Sequence, residues 1–541
     1  MANMIVASEE SRPVSGETDS PTETADGPDS SSKELVESSL QKQLSLLVLI
    51  RCLRTAQLAP PPIVVPFYQN SCHLEASSIL WLGSWYSALA AICEMPSGLL
   101  SDVLGRKLTL QLSFLGMGAC WIITYGSILA PPSMIVVWLG LGQLFRALGS
   151  SLYSGTDMAL LYELLKKHKK QQQRQRESLS RKKEKREGDD LALKLESRQV
   201  VLSTITEAAV AALGGLLSRL YGASTVIFMS ALPPLVGAAI CFGLEETATI
   251  EDGSVQKKEK IVSSNQGDTK SVPSDKPSDA NTQSMPPKIP PKEKFERRRS
   301  SRIVDTLTQP SLHIIFGIGV VLNCGTYIAA TALNPLLWQQ VGISNFAGGF
   351  LQATNSGMTA LGALAAPTLK RQCSRIGYKM IGSNDDGTHG LLLLLLSTSS
   401  IAYGLMTWNA FSELSPSLES MTSTSSTTSL IQTASVIGAS WLLSLVRGLA
   451  WPVLGSALNS AIGDNGTRAT VLSLFAGAIK IGMVFTGFAL GSILHKSSSL
   501  GNACALCTSI LLGYVVFCLL GLRAGKDGVP PIADEKGKKD Q

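Results

Sequence analysis

Arginine, lysine, glutamate and aspartate residues interrupt several long apolar stretches of this chain. An ionisable group inside a membrane-spanning helix costs about 2.5–3.5 kcal/mol, so it should face the protein interior and be kept there for a reason. The residues concerned are Arg51, Arg54, Glu94, Arg146, Asp157, Glu207, Arg447 and Lys480.

Basic groups outnumber acids in the middle of these stretches. Arg146 and Arg447 each fall near the centre of a predicted helix, and Lys480 or Arg54 would add further positive charge. This set predicts a binding site for an anion, with these four as candidate substrate-binding residues. Glu207 is the candidate proton carrier, because burial favours the protonated form of a carboxyl group. The alternative is that the charges pair with one another and only brace the helices.

The composition indicates which elements must position these groups. The chain has 541 residues, 45% of them hydrophobic, and a mean hydropathy of +0.20. Apolar runs long enough to cross a bilayer need about 20 residues in a helix, and backbone groups in lipid must be paired within the segment. We therefore expect an all-α membrane protein. The net charge of +6 comes from polar loops and indicates basic cytosolic segments rather than nucleic-acid binding.

Apolar runs alternate with polar breaks and predict twelve transmembrane helices. The predicted spans lie near 44–66, 78–100, 108–130, 134–158, 200–219, 223–244, 311–333, 346–368, 389–411, 431–460, 470–494 and 501–522.

The loops that follow even-numbered spans carry nearly all the basic residues. They include 106–107, 166–198, 257–302, 370–379 and Arg468. Positive residues stay in the cytosol, so this asymmetry predicts a multi-pass membrane protein with both termini cytosolic. The sequon Asn465-Gly-Thr467 then lies on the cytosolic side and should stay unglycosylated.

The polar stretches divide the chain into regions. Residues 1–43 read as a disordered cytosolic tail, and 245–309 as a disordered cytosolic linker between two six-helix bundles. The bundles are predicted at 44–244 and 310–522, followed by a cytosolic tail over 523–541. The first bundle carries a basic cytosolic insertion at 165–199, either a charged helical extension or a disordered loop.

One motif joins the second and third spans. The pattern G-x-x-x-D-x-x-G-R-K occurs at Gly98, Asp102, Gly105, Arg106 and Lys107. In this position and on this side it resembles the signature of the major facilitator superfamily (MFS) of secondary transporters. The resemblance implies the MFS fold, twelve helices in two pseudo-symmetric six-helix bundles, and alternating access. It also implies that these five residues form a cytosolic gating motif.

The second half carries a weaker copy of the same pattern. Span 8 ends in Gly362-x-x-x-Ala366-x-x-Leu369-Lys370-Arg371, without the aspartate and the second glycine. The fourth and tenth spans carry Arg146 and Arg447. A repeated six-helix unit is what such transporters are built from.

The sequence gives little support for ATP-driven transport, enzyme catalysis or metal binding. The sequence has no G-x-x-x-x-G-K-[ST] motif, so transport should run on a gradient, with a proton as a possible coupling ion. We find no catalytic or metal-ligand constellation, and we expect no enzyme activity and no cofactor. Most of the ten cysteines fall in apolar runs, where cysteine acts as a small hydrophobe.

The sequence therefore predicts a gradient-driven transporter of a small anionic solute, surrounded by lipid. Two alternatives stay open: a transporter-like sensor or scaffold, and a proton-coupled exporter of neutral or cationic compounds. The C-terminal Lys538-Lys-Asp-Gln541 resembles an endoplasmic reticulum retrieval signal, with the plasma membrane or another endomembrane as the alternative.

Overall fold

The computed structural model describes residues 30–176, 184–244, 310–381, 388–412, 425–462, 468–497 and 499–527. Within these residues all regular structure is helical, as the sequence predicts. The tail before residue 30, the linker 245–309 and the sequon at 465–467 lie outside them.

The helices follow the predicted order, and we number them as spans 1 to 12. Their bounds are Ser30–Thr55 with Pro61–Pro66, Ala76–Leu104, Arg106–Gly126, Ile135–Arg176, Glu184–Tyr221, Ala223–Met229 with Leu232–Ile240, Pro310–Ile328 with Asn334–Gln340, Asn345–Ile381, Thr388–Ser412, Ser425–Ile462, Arg468–Ser497 and Leu500–Asp527.

Several helices are longer than the sequence predicted. Span 1 begins at Ser30, inside the region interpreted as a tail. Spans 4 and 5 extend to Arg176 and back to Glu184, so the described parts of the basic insertion are helical extensions.

Ten of the described helices are long and apolar enough to cross a bilayer. The other two are spans 1 and 8. Span 1 is interrupted at residues 56–60, and the last of these is the first of three consecutive prolines. Proline has no N–H to donate and disfavours helical conformation in the residue before it. Span 8 is a continuous helix from Asn345 to Ile381 that carries more polar residues.

The two halves repeat one packing scheme. Span 2 packs on span 4 and span 3 on span 6, and their counterparts pack in the same way, span 8 on span 10 and span 9 on span 12. Spans 1 and 7 both contain a π-helical turn, at Phe67–Ser71 and Ala329–Leu333. The halves meet through span 2 against span 11 and span 5 against span 8.

Candidate functional site

Three basic side chains from different helices gather around one tyrosine. Tyr86 of span 2 is buried, and the guanidinium carbon Cζ of Arg146 in span 4 lies 5.0 Å from its ring centroid. The Nζ atom of Lys480 in span 11 lies 5.4 Å from the same centroid. Both distances are within cation–π range. The ring therefore contacts a cation of the first half and a cation of the second.

The third cation, Arg54, reaches this tyrosine through a serine. Arg54 Nη2 donates to Ser150 Oγ at 3.3 Å, and the Tyr86 hydroxyl donates to the same oxygen at 3.2 Å. Arg54 also lies over the ring of Tyr153, 5.4 Å from its centroid. We call Arg54, Arg146 and Lys480 the cation cluster.

Span 4 presents a polar stripe to this cluster. Gln143, Arg146, Ser150 and Ser154 follow one another at spacings of three or four residues, so they share one face of the helix. Gln143 Nε2 donates to the hydroxyl of Tyr68 at 3.4 Å. The stripe thus connects the π-turn of span 1 with the interior of the bundle.

One buried carboxylate lies close to the cluster. Glu94 of span 2 is 7% exposed, accepts a hydrogen bond from Ser154 Oγ, and interacts electrostatically with Lys480. The electrostatic neighbours of Arg146 are instead tyrosines and a cysteine: Tyr327, Tyr86, Tyr68 and Cys120. The strongest electrostatic neighbours of Arg146 within the described residues are therefore polar rings and a thiol, with no carboxylate among them.

Arg146 of the cation cluster lines a pocket between the two halves, which we call the central pocket. Arg146, Tyr86, Tyr68, Gln143 and Tyr327 supply its main polar groups. Both π-turns contribute to its wall, through Tyr68 and Thr331. Such turns are frequent at functional sites because they displace side chains from the regular helical register.

Spans 2 and 11 close the pocket at the end that carries the loops after odd-numbered spans. A side chain at Gly491 would meet the indole of Trp81, and one at Gly487 would meet the hydroxyl of Ser84. At the rim, Glu75 Oε2 lies 3.9 Å from Nδ1 of His495. Both of these side chains are well exposed, so this pair adds little to the closure. We call this closed region the seal.

Spans 5 and 8 form the other side of the seal through glycines. A Cβ atom on Gly349 would lie 2.7 Å from the Cα atom of Gly215, and one on Gly348 would lie 2.8 Å from Cβ of Pro62. Small residues allow two helix backbones to approach this closely. The seal is therefore held by close packing between the halves.

Glu207 lies on the span 5 face that packs against span 8. Its Oε1 accepts a hydrogen bond from Nε2 of Gln352 at 3.4 Å, a contact that crosses from one half to the other. Gln352 is 5% exposed, and its buried amide oxygen has no hydrogen-bond partner within the part of the chain that the structure describes. The sequence candidate for proton carriage thus lies at the interface between the halves, beside the seal.

The structure does not bring Arg447 to the cluster. The contacts described above for Arg54, Arg146 and Lys480 do not include Arg447. Its neighbour Gly448 packs against the backbone of Thr359 in span 8. Arg447 itself is half-buried.

The predicted gating motif forms a tight turn. Gly105 has a φ of 83° and separates the helices of spans 2 and 3. Lys107 Nζ donates to the carbonyl oxygen of Phe242, at the end of span 6, at 2.8 Å. Arg106 is half-buried, and the side-chain surroundings of Gly98 and Asp102 lie outside the described residues. Its role in gating stays a prediction.

Sequence reasoning missed the aromatic residues of the site. Tyr86 and Tyr327 carry no charge and stand in apolar runs, so a search for intramembrane charges passed over them. The spacing of Gln143, Arg146, Ser150 and Ser154 was a readable signal for the polar stripe. Among the described residues, no group of His, Cys, Asp and Glu could hold a metal ion.

Comparison with known proteins identifies the fold. No family model matches the sequence, and no curated protein does. Many solved structures do match, among them two of POT family transporters. One is a POT family transporter in complex with 5-aminolevulinic acid, with a TM-score of 0.54 at 10% identity over 88% of this chain and 96% of that one. The other is a POT family transporter in complex with a thioalcohol-conjugated peptide, with a TM-score of 0.55 at 11% identity over 89% and 96%. The chain therefore has the MFS fold, in agreement with the sequence.

Proposed function

We propose that the protein is a secondary transporter that carries a small anionic solute through the central pocket by alternating access. The observation that carries this proposal is the cation cluster. Three cations from spans 1, 4 and 11 converge on Tyr86 at the junction of the two halves. Transporters of this architecture bind their solutes at the junction of two repeats.

The charge of the cluster favours an anion over a cationic or neutral solute. Buried positive groups without a counter-ion are costly in a low dielectric. An anion bound against Arg146 would supply the missing charge and accept charge-assisted hydrogen bonds from the guanidinium. A cationic solute would raise the cost instead.

The seal sets the direction from which the solute reaches the pocket. We propose that the sealed end faces away from the cytosol, since the basic loops lie at the opposite end. The described conformation would then receive solute from the cytosolic side. This topology predicts that native Asn465 stays unglycosylated, whereas Leu418→Asn, which creates a sequon in the loop after span 9, becomes glycosylated. The reverse pattern would overturn it.

We further propose that Glu207 couples transport to protons. A protonated Glu207 could donate a hydrogen bond to the Gln352 amide oxygen, after rotation of the amide, and so change the contact between the halves. Glu207→Gln should abolish concentrative uptake in a proton gradient and retain solute exchange between two equal pools. Loss of both activities in a folded variant, or retention of both, would contradict this role.

The experiment that tests the proposal is uptake by purified full-length protein in proteoliposomes. The panel contains mono- and dicarboxylates, inorganic phosphate, neutral sugars and organic cations. We expect saturable uptake of an anion by the wild type and by Lys496→Gln, a control at an exposed cation on span 11. Arg146→Gln should lose it. Flux restricted to neutral or cationic solutes would overturn the anion preference, and absence of any flux would favour a sensor or scaffold.

A further inference from the structure

We infer that the solute carries two negative charges, held between Arg54, Arg146 and Lys480, as in a short dicarboxylate or a phosphate monoester. This inference rests on the proposed transport of an anion and specifies the class of solute.

The three cations are close enough to share one small molecule. Arg146 and Lys480 both lie within cation–π distance of the Tyr86 ring, at 5.0 and 5.4 Å. Arg54 is joined to the hydroxyl of that ring through Ser150, in two hydrogen bonds of 3.3 and 3.2 Å. One tyrosine therefore fixes the positions of all three charges.

The described charges around Tyr86 do not cancel. Against three cations stands Glu94, whose carboxylate is buried, bonded by Ser154 and close enough to act on Lys480. The groups that act on Arg146 are neutral tyrosines and a cysteine. Two positive charges therefore remain after Glu94 is counted.

A bound dianion balances this charge, whereas a zwitterion or a monoanion does not. Uncompensated charge in a low-dielectric interior is unfavourable, and neutralisation by a ligand removes that cost. A zwitterion brings no net charge, and a monoanion leaves one cation without a counter-ion. The site thus distinguishes solutes first by their net charge.

The cluster also has unused donors. Arg54 Nε is buried and has no hydrogen-bond partner among the described residues. Guanidinium groups bind carboxylate and phosphate through two parallel N–H bonds. A second anionic group at Arg54, beside the one at Arg146, would use this donor. A short dicarboxylate offers two such groups within a compact molecule.

The test is a binding titration of the purified full-length protein with matched probes at neutral pH. The probes are succinate, its monomethyl ester and 5-aminolevulinate, which have similar lengths and carry two, one and no net negative charges. Since a desolvated charge pair is worth several kcal/mol, we expect succinate to bind about 30-fold or more tightly than the monomethyl ester. We expect 5-aminolevulinate to bind more weakly than either.

Substitutions at Lys480 test the charge count. Lys480→Gln should reduce the preference for succinate over its monomethyl ester to about threefold, because the site then retains a single excess charge. Lys480→Arg keeps the charge and should retain the preference. Thermal unfolding of each variant verifies that it is folded.

The outcomes separate this inference from the proposal beneath it. Equal binding of succinate and its monomethyl ester, or tighter binding of 5-aminolevulinate, overturns the dianion while leaving an anion or zwitterion transporter in place. A preference unchanged in Lys480→Gln also overturns it. Binding of none of the probes, nor of inorganic phosphate, contradicts both the dianion and the proposed anion transport.

Discussion

The two halves of the molecule share a helix arrangement but present different chemistry to its centre. The first half supplies Arg54, Arg146, Tyr86 and Glu94 to the site, whereas the second supplies Lys480 and Tyr327. The second half also contains the largest apolar cluster, which extends across the junction to Leu80 of span 2. The repeat therefore provides a common scaffold, and the charges that we assign to solute binding come mainly from one copy of it.

The arginines of spans 4 and 10 show how this difference arises. Both stand near the middle of a predicted span. A hydropathy pattern gives this position along the helix but not the face of the helix on which the residue lies. Arg146 belongs to a polar stripe that faces the junction, while Arg447 precedes Gly448 at a close contact with span 8. Position along a helix gives depth in the membrane, but the face on which a residue lies decides which neighbours it has.

The sharpest test of this comparison exchanges each arginine for glutamine. We expect Arg146→Gln to lower kcat/KM for anion uptake by about 100-fold or more, because the substitution removes the buried guanidinium charge that would bind the solute. Arg447→Gln should lower it by less than about threefold, in the range of a mutation outside the contact region. Initial uptake rates in proteoliposomes measure both. Equal losses in two folded variants would place Arg447 in the site and break the comparison.

Glycine substitutions on span 8 compare the seal with an open face of the same helix. A Cβ at Gly349 would meet the backbone of Gly215, whereas a Cβ at Gly357 would meet no atom within 4 Å. Overpacking costs about 1–3 kcal/mol, so Gly349→Ala should slow exchange by about 30-fold.

The matched control for this pair is Gly357→Ala, for which we expect an exchange rate within about twofold of the wild type. Rates are measured as counterflow of the transported anion, after both variants are shown to insert equally. If Gly349→Ala exchanged solute at the control rate, the close contact would not be part of the transport cycle.

Two substitutions at Tyr86 distinguish the contribution of its ring from that of its hydroxyl. Tyr86→Leu removes two cation–π contacts of about 0.5–1 kcal/mol each or more, and should raise KM by about tenfold. Tyr86→Phe keeps the ring and loses the bond to Ser150, so we expect a rise of about threefold. Uptake at varied solute concentration gives KM. Equal effects of the two variants would show that the hydroxyl, not the ring, organises the cations.

The smallest effects are expected at the loop ends of the two halves. Lys107 donates to the carbonyl of Phe242, and Lys370 donates to Ser456 Oγ at 3.1 Å. Each bond is worth about 1 kcal/mol. Lys107→Gln and Lys370→Gln should therefore each lower the unfolding temperature by only about 2–4 °C, which thermal unfolding in detergent measures. A loss of uptake in Lys107→Gln without loss of stability would instead support the gating role of its motif.

Most of the fold was readable from the sequence. Hydropathy and loop charge predicted twelve helices in two repeats, and the structure and its comparisons confirm that fold. Helix bounds were less accessible, since Ser30 and Arg176 stand in polar segments that membrane hydropathy does not score. The break in span 1 had a readable cause in Pro60, Pro61 and Pro62.

The site was only partly readable. Intramembrane charge pointed to Arg54, Arg146 and Lys480, which the structure brings together, and to Arg447, which it does not. The proximity of spans 1, 2, 4 and 11 is a property of the packed bundle, so the contact of Tyr86 with two cations could not be predicted from any single helix. Glu207 was selected as an acidic residue within a predicted span, and its contact with Gln352 depends on how spans 5 and 8 meet. Their roles in transport stay predictions.

The most direct test of the central claim is to locate a bound anion. A structure of the full-length protein with bromosuccinate, whose bromine gives an anomalous signal, reports the position of the solute. We predict bromine density in the central pocket, between Arg146 and Lys480 beside Tyr86, and its loss in crystals of Arg146→Gln. Density confined to the outer surface or beside Arg447, with the central pocket occupied only by solvent, would contradict the claim.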